Sequence, residues 1–143
     1  MASAAPNVES LLGVPAKFAG SAMGVANIVE SGLSVAAVDR LAKALAPDDP
    51  NLKYRLVPKP TLARRRKYRQ PLSAEEGNRM ARVAKVFEMA TAIFGDERKA
   101  RDFLGRPHVM LDNAAPLDVA LATGPGADAV VNLLGRAAYG GGA

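Results

Sequence analysis

Eight basic side chains crowd into twenty residues: Lys53, Arg55, Lys59, Arg64, Arg65, Arg66, Lys67 and Arg69, with no acid anywhere in 51–70. Residues 1–50 hold three basic and five acidic side chains, and residues 71–143 hold eight and nine. The net charge of +5 therefore arises from this stretch alone. A concentrated field of one sign is the footprint of a polyanion site. Arg64 and Arg65 suit base edges, because a guanidinium forks onto guanine O6 and N7. Lys53, Arg66, Lys67 and Arg69 suit phosphates, which set register without reading sequence. A solvated basic linker between two domains is the other reading of residues 63–69, and the residues alone leave both open.

No other chemistry stands out. There is no cysteine and one histidine, His108. Disulfides and thiolate metal sites are excluded, and a transition-metal site would have to be built from carboxylates. No glycine pattern of the nucleotide-binding kind follows a strand, and Glu75 and Glu76 are accounted for by a helix start. No catalytic set is found, so a non-enzyme without cofactor is expected. The absence of cysteine fits a cytoplasmic protein. The N-terminus shows no signal peptide, and no run reaches the roughly 18 apolar residues of a membrane span.

The elements that must position the basic run are helical. Hydrophobic residues make up 49% of the chain but aromatics only 5%, with no tryptophan. A core of Ala, Leu and Val suits helix on helix, and no segment alternates with period two, so the expected fold is all-α. Residues 1–20 read as a mobile arm with a short helix at Val8–Leu12. A helix over 21–30 should end near Gly32. Ser34 should cap the next, whose Asp39 and Lys43 stand four apart, and Pro47 should stop it. Asp49-Pro50 should open a short helix through Leu56.

Next comes Val57–Arg69, which has the pattern of a turn followed by a DNA-reading helix: Val57 and Leu62 inward, Lys59, Thr61, Arg64 and Arg65 elsewhere. Gln70-Pro71 should hinge to a second domain. There, Ser73 and Glu76 form a capping box for a long helix whose Met80, Val83, Ala84, Phe87, Ala90, Thr91 and Phe94 share one stripe. Gly95 should stop it in the left-handed region. Asp96 should cap a helix ended by Gly105–Pro107. Val109 and Leu111 should plug a loop into the core. Pro116 should start a helix ended by Thr123-Gly124, and a last helix should run over 126–139 with Val130, Val131, Leu134 and Ala138 on one side.

A set of short words also appears in order along the second half: LSAEE at Leu72–Glu76, Phe94–Asp96, Lys99-Ala100, Phe103-Leu104, Pro116–Asp118, Thr123-Gly124 with Gly126, and LLGRAAYG at Leu133–Gly140. The ordered set resembles the toxin-binding domain of the Xre/MbcA/ParS antitoxins. The stretch VPKPTLAR resembles the turn and recognition helix of Xre-type regulators, with Pro58 in place of a capping Ser and Leu56 where the turn usually has Gly. A non-Gly residue held at positive φ costs roughly 1 kcal/mol, so an altered turn is expected at Leu56.

The resemblance implies a small Xre-like helix-turn-helix domain over residues 21–70 and a helical toxin-binding domain over 71–143. It implies an antitoxin that binds its operator through Lys59, Thr61, Arg64, Arg65, Arg66, Lys67 and Arg69 and represses its own gene. It implies a RES-type, NAD-degrading toxin as partner, whose cleft receives the C-terminal end, with Arg136, Tyr139, Gly140 and Gly141 as contacts. A homodimer is expected, through the helix at 34–45 or that at 74–94. The alternative is a plain DNA-binding regulator whose second domain only oligomerises.

Overall fold

A computed structural model describes residues 6–14 and 22–139. Among them every regular element is helical: α1 (Val8–Leu12), α2 (Ala22–Ser31), α3 (Ala36–Leu45), α4 (Lys53–Leu56), α5 (Lys59–Lys67), α6 (Ala74–Phe94), α7 (Glu97–Gly105), a 3-10 turn (Val109–Leu111), α8 (Pro116–Ala122) and α9 (Gly124–Tyr139). None is long and apolar enough to cross a membrane. Contacts divide the chain into Asn7–Ala84 and a unit from Lys85 onward.

In the first unit α1 is fixed by reciprocal bonds. The Ser10 N–H donates to Asn7 Oδ1 at 2.7 Å, and the Asn7 N–H donates to Ser10 Oγ at 3.1 Å. Leu11 and Leu12 are buried, and α1 packs on α3. Part of the expected mobile arm is thus folded, because two leucines and a capping box suffice to dock one turn of helix. Residues 1–5 and 15–21 lie outside the described residues.

The turn after α2 uses Gly32 at φ 109, where a Cβ would sit 2.7 Å from the Pro71 ring. The Leu72 N–H donates to the Leu33 carbonyl at 2.9 Å, and Leu72 is buried. Gln70-Pro71, expected as a hinge, is therefore pinned inside the first unit. Ser34 does serve α3: its hydroxyl accepts the Ala36 N–H at 3.2 Å. Val38, Leu41, Ala42 and Leu45 form the buried side of α3, joined in the core by Leu52, Leu56, Val57, Leu62, Met80 and Val83.

The second unit is built around Phe87 and Ala90 of α6, Ala100 and Leu104 of α7, Ala120 and Leu121 of α8, and Ala127, Val130 and Leu134 of α9, all buried. Gly95 takes φ 73 and ends α6. Asp96 caps α7, its Oδ1 accepting the Arg98 N–H at 2.6 Å. Thr123 opens α9 as well as following α8: its hydroxyl accepts the Gly126 N–H at 2.9 Å, and α9 begins at Gly124 rather than Gly126. Along α9, Val131 is half-buried and Ala138 exposed, so the stripe is narrower than expected. Val109 is not a plug but exposed, and Leu111 is half-buried; the reason lies in the loop's hydrogen bonds, described below.

Candidate nucleic-acid interface

The helix-turn-helix is α4, Val57, Pro58 and α5. Val57 is extended at φ −138, ψ 126, and Pro58 follows at φ −53, ψ 144. No left-handed residue is used in the turn, and Leu56 is not at positive φ. The altered turn expected at Leu56 thus takes a form that needs no glycine. Leu56 and Val57 are fully buried, and the Leu56 carbonyl accepts the Arg79 guanidinium at 3.1 Å. Pro58 offers no capping oxygen, but Pro60 lies in the first turn of α5, where its missing N–H removes a donor that would otherwise lack a partner.

At 100° per residue, only Leu62 of α5 is fully buried, with Thr61 and Arg65 half-buried on the same side. The opposite face presents Pro60, Ala63, Arg64 and Lys67, with Lys59 at its edge, all exposed. Between Lys59 and Lys67, Ala63 keeps the surface low and apolar. Among the described residues no carboxylate pairs with Lys59, Arg64 or Lys67. The Lys59 ammonium stands 5.4 Å from the Tyr54 ring centroid, with Lys53 at 5.3 Å, and Lys67 stands 5.4 Å from the ring of Tyr68. Tyr54 was not among the expected contact residues; its signal in the sequence is an aromatic set among cations.

The other arginines are occupied. Arg65 Nε lies 2.9 Å from Glu76 Oε1, and its terminal nitrogens donate to Glu76 Oε2 and the Pro71 carbonyl, each at 3.3 Å. Both side chains of this pair are mostly buried, 16% and 13% exposed. Glu76 also closes the capping box: its Oε1 accepts the Ser73 N–H at 2.8 Å, while its own N–H donates to Ser73 Oγ at 3.1 Å. Burial acts to raise the Glu76 carboxyl, but the Ser73 N–H and the Arg65 guanidinium outweigh it and hold the group below its usual 4.5.

This geometry makes Arg65 a brace between α5 and the start of α6, an arrangement that the sequence reading of Arg65 as a base contact does not include. Arg66 is bound to Asp39 of α3, which Lys53 also approaches at 3.9 Å. Asp39 therefore serves α5 rather than Lys43.

Arg69 closes α5. It sits at φ 54, its N–H directed at the Arg66 carbonyl at 3.4 Å, while the Gln70 N–H donates to the Arg65 carbonyl at 2.8 Å. That is the double-bonded helix end normally reserved for glycine. Arg65, Arg66 and Arg69 together line one side of an open cleft of about 490 Å³ facing Ser34 and Val35. In the second unit, Arg136 is exposed on the last turn of α9. The side chain of Tyr139 and residues Gly140 and Gly141 lie outside the described residues, so the arrangement expected of the C-terminal end is not seen.

Comparison with known proteins accounts for both units. Residues 24–85 match the family described as the Antitoxin Xre-like helix-turn-helix domain. Residues 89–140 match that described as the Antitoxin Xre/MbcA/ParS C-terminal toxin-binding domain. A protein named Antitoxin Xre from Yersinia enterocolitica is 32% identical over 114 residues, covering 78% of this chain and 76% of the relative. Another Antitoxin Xre, from Pseudomonas putida, is 33% identical over 85 residues, covering 59% of this chain and 53% of the relative, about half its length. With both of its units accounted for and the Yersinia alignment running across them, the chain belongs to the Xre/MbcA/ParS antitoxin family.

Proposed function

We propose that the chain is a toxin-neutralising protein that also grips its own operator, with the unit from Lys85 onward engaging the toxin and the exposed face of α5 engaging DNA. The observation that carries the DNA half is the unpaired trio Lys59, Arg64 and Lys67 around Ala63, on a helix whose other cations are already held by carboxylates. Arg64, the one guanidinium of the three, is the residue suited to a guanine edge, and Lys59 and Lys67 are suited to phosphates. Thr61, Arg66 and Arg69 take secondary parts, since each is half-buried, paired or committed to the helix end.

The toxin half is supported by the match of residues 89–140 to a toxin-binding domain. Its finer content is a RES-type, NAD-degrading toxin, with Arg136, Tyr139, Gly140 and Gly141 entering the toxin's cleft and a homodimer presenting two reading helices to a two-fold operator.

Co-expression with the toxin encoded beside it tests the reading. Growth should be rescued by the full chain and by the variant Arg64→Ala with Lys67→Ala. That variant should lose repression of an operator-driven reporter. A chain ended at Ala137 should fail to neutralise while still repressing. Rescue without any toxin–chain complex would overturn the reading. Repression without rescue would favour the plain regulator.

A further inference from the structure

Among the described residues of the second unit, Val109 and Met110 leave an apolar surface uncovered. Val109 and Met110 are 76% and 56% exposed. Their position is built rather than loose. The His108 N–H donates to the Ala114 carbonyl at 3.1 Å, and the Asn113 N–H returns to the His108 carbonyl at 2.9 Å. His108 Nδ1 accepts the Met110 N–H at 3.3 Å. Asp112 and Asn113 adopt φ 55 and 64, a region that Asp and Asn tolerate better than most side chains. The loop closes on itself through these bonds and holds Val109 and Met110 outward.

Beside this knob, sharing His108 with it, opens a cleft of about 450 Å³. Its floor is aromatic: Phe94 and Phe103 lie 5.1 Å apart between ring centroids, and His108 meets Phe103 edge-on at 6.0 Å. Lys99, Asp102 and Arg106 also line it. A knob and a socket side by side, with mixed charge around them, is the anatomy of a protein interface.

We propose that this surface docks the toxin, an inference that rests on the toxin-binding reading above. The partner it fits offers an apolar pocket to Met110, an aliphatic or aromatic side chain to the Phe94–Phe103 cleft, and carboxylates to Lys99 and Arg106. Two considerations select this occupant over a second copy of the chain. The whole patch falls within residues 89–140, the segment matching a toxin-binding domain. Its rim carries two cations against one acid, so a two-fold copy would leave cations unmatched, whereas an acidic partner would match them.

The test uses the full chain and the purified toxin encoded beside it. Val109→Ser with Met110→Asp should weaken the complex by roughly tenfold or more in calorimetry. Arg106→Glu should weaken it separately. Helical circular dichroism, the mass of the chain alone and operator affinity should all stay as in the wild type. The proposal is overturned if the wild type binds toxin and both variants bind within threefold of it; the toxin-binding reading then survives. It is also overturned if the first variant instead lowers the mass of the isolated chain, which would give the patch to a second copy. If the wild type itself fails to bind the toxin, the underlying reading falls and takes the proposal with it. Should Met110→Asp disturb folding, Met110→Ser with Arg106→Glu carries the same measurement.

Discussion

Glu76 and Arg65 are joined by a mostly buried ion pair, 2.9 Å from Nε to Oε1, and the same carboxylate caps α6. One side chain thus starts one helix and anchors another. Removing it should cost more than a surface cap. Glu76→Ala is expected to destabilise by about 2–4 kcal/mol, adding a lost cap to an orphaned guanidinium. Arg65→Ala should cost about 1–3 kcal/mol by leaving the carboxylate with only its Ser73 bonds. A double-mutant cycle by urea unfolding should show coupling of at least about 0.5 kcal/mol. Additive effects would mean that the pair contributes nothing beyond its parts.

The depressed Glu76 carboxyl gives this coupling a pH dependence. Its folded value lies below the usual 4.5, so the stability it contributes is fully present above that value. That contribution should fade as pH falls below about 4.5 through the lower folded value. Unfolding free energies for the wild type and Glu76→Gln, measured between neutral pH and pH 3, should converge on the acid side. Parallel curves would place the acid sensitivity elsewhere.

What the sequence made legible was local. The Ser73–Glu76 box, the left-handed stop at Gly95, the Asp96 cap and the proline start at Pro116 each depend on residues within one turn, and each stands where expected. What it concealed was non-local. Arg64 and Arg65 are identical neighbours, yet 100° of helix rotation turns one outward and the other toward Glu76. Asp39 has a partner at i+4 by pattern and takes Arg66 through space, from a helix remote in the sequence. Val109 has the composition of a core residue, and only the ring of hydrogen bonds around His108 explains its exposure. A boundary at Pro71 is suggested by the proline and by the LSAEE word that follows it, while Leu72 and Gly32 tie that proline into the first unit.

Arg69 holds a glycine's position at the end of α5. Arg69→Gly should relieve the left-handed cost and stabilise the protein by roughly 1 kcal/mol, raising Tm by a few degrees. If the Arg69 guanidinium also holds a phosphate, operator binding should become less steep in salt by about 0.9 log unit per log salt. The two readouts separate the roles. An unchanged slope with raised Tm assigns the residue to helix termination alone.

Two of the glycines of α9, Gly126 and Gly135, should respond oppositely to one added methyl. At Gly126 a Cβ would lie 2.3 Å from the Val119 carbonyl oxygen and 3.0 Å from Thr123 Oγ1. This is the close crossing of α8 and α9, and backbone has nowhere to go. Gly126→Ala should destabilise by about 1–3 kcal/mol, as overpacking does. At Gly135 an added Cβ meets nothing within 4 Å. Gly135→Ala should stabilise by roughly 0.5–1 kcal/mol by restricting the unfolded chain and favouring helix. Thermal unfolding of both variants decides the matter. Equal stabilisation would mean that the α8–α9 crossing is looser than its geometry.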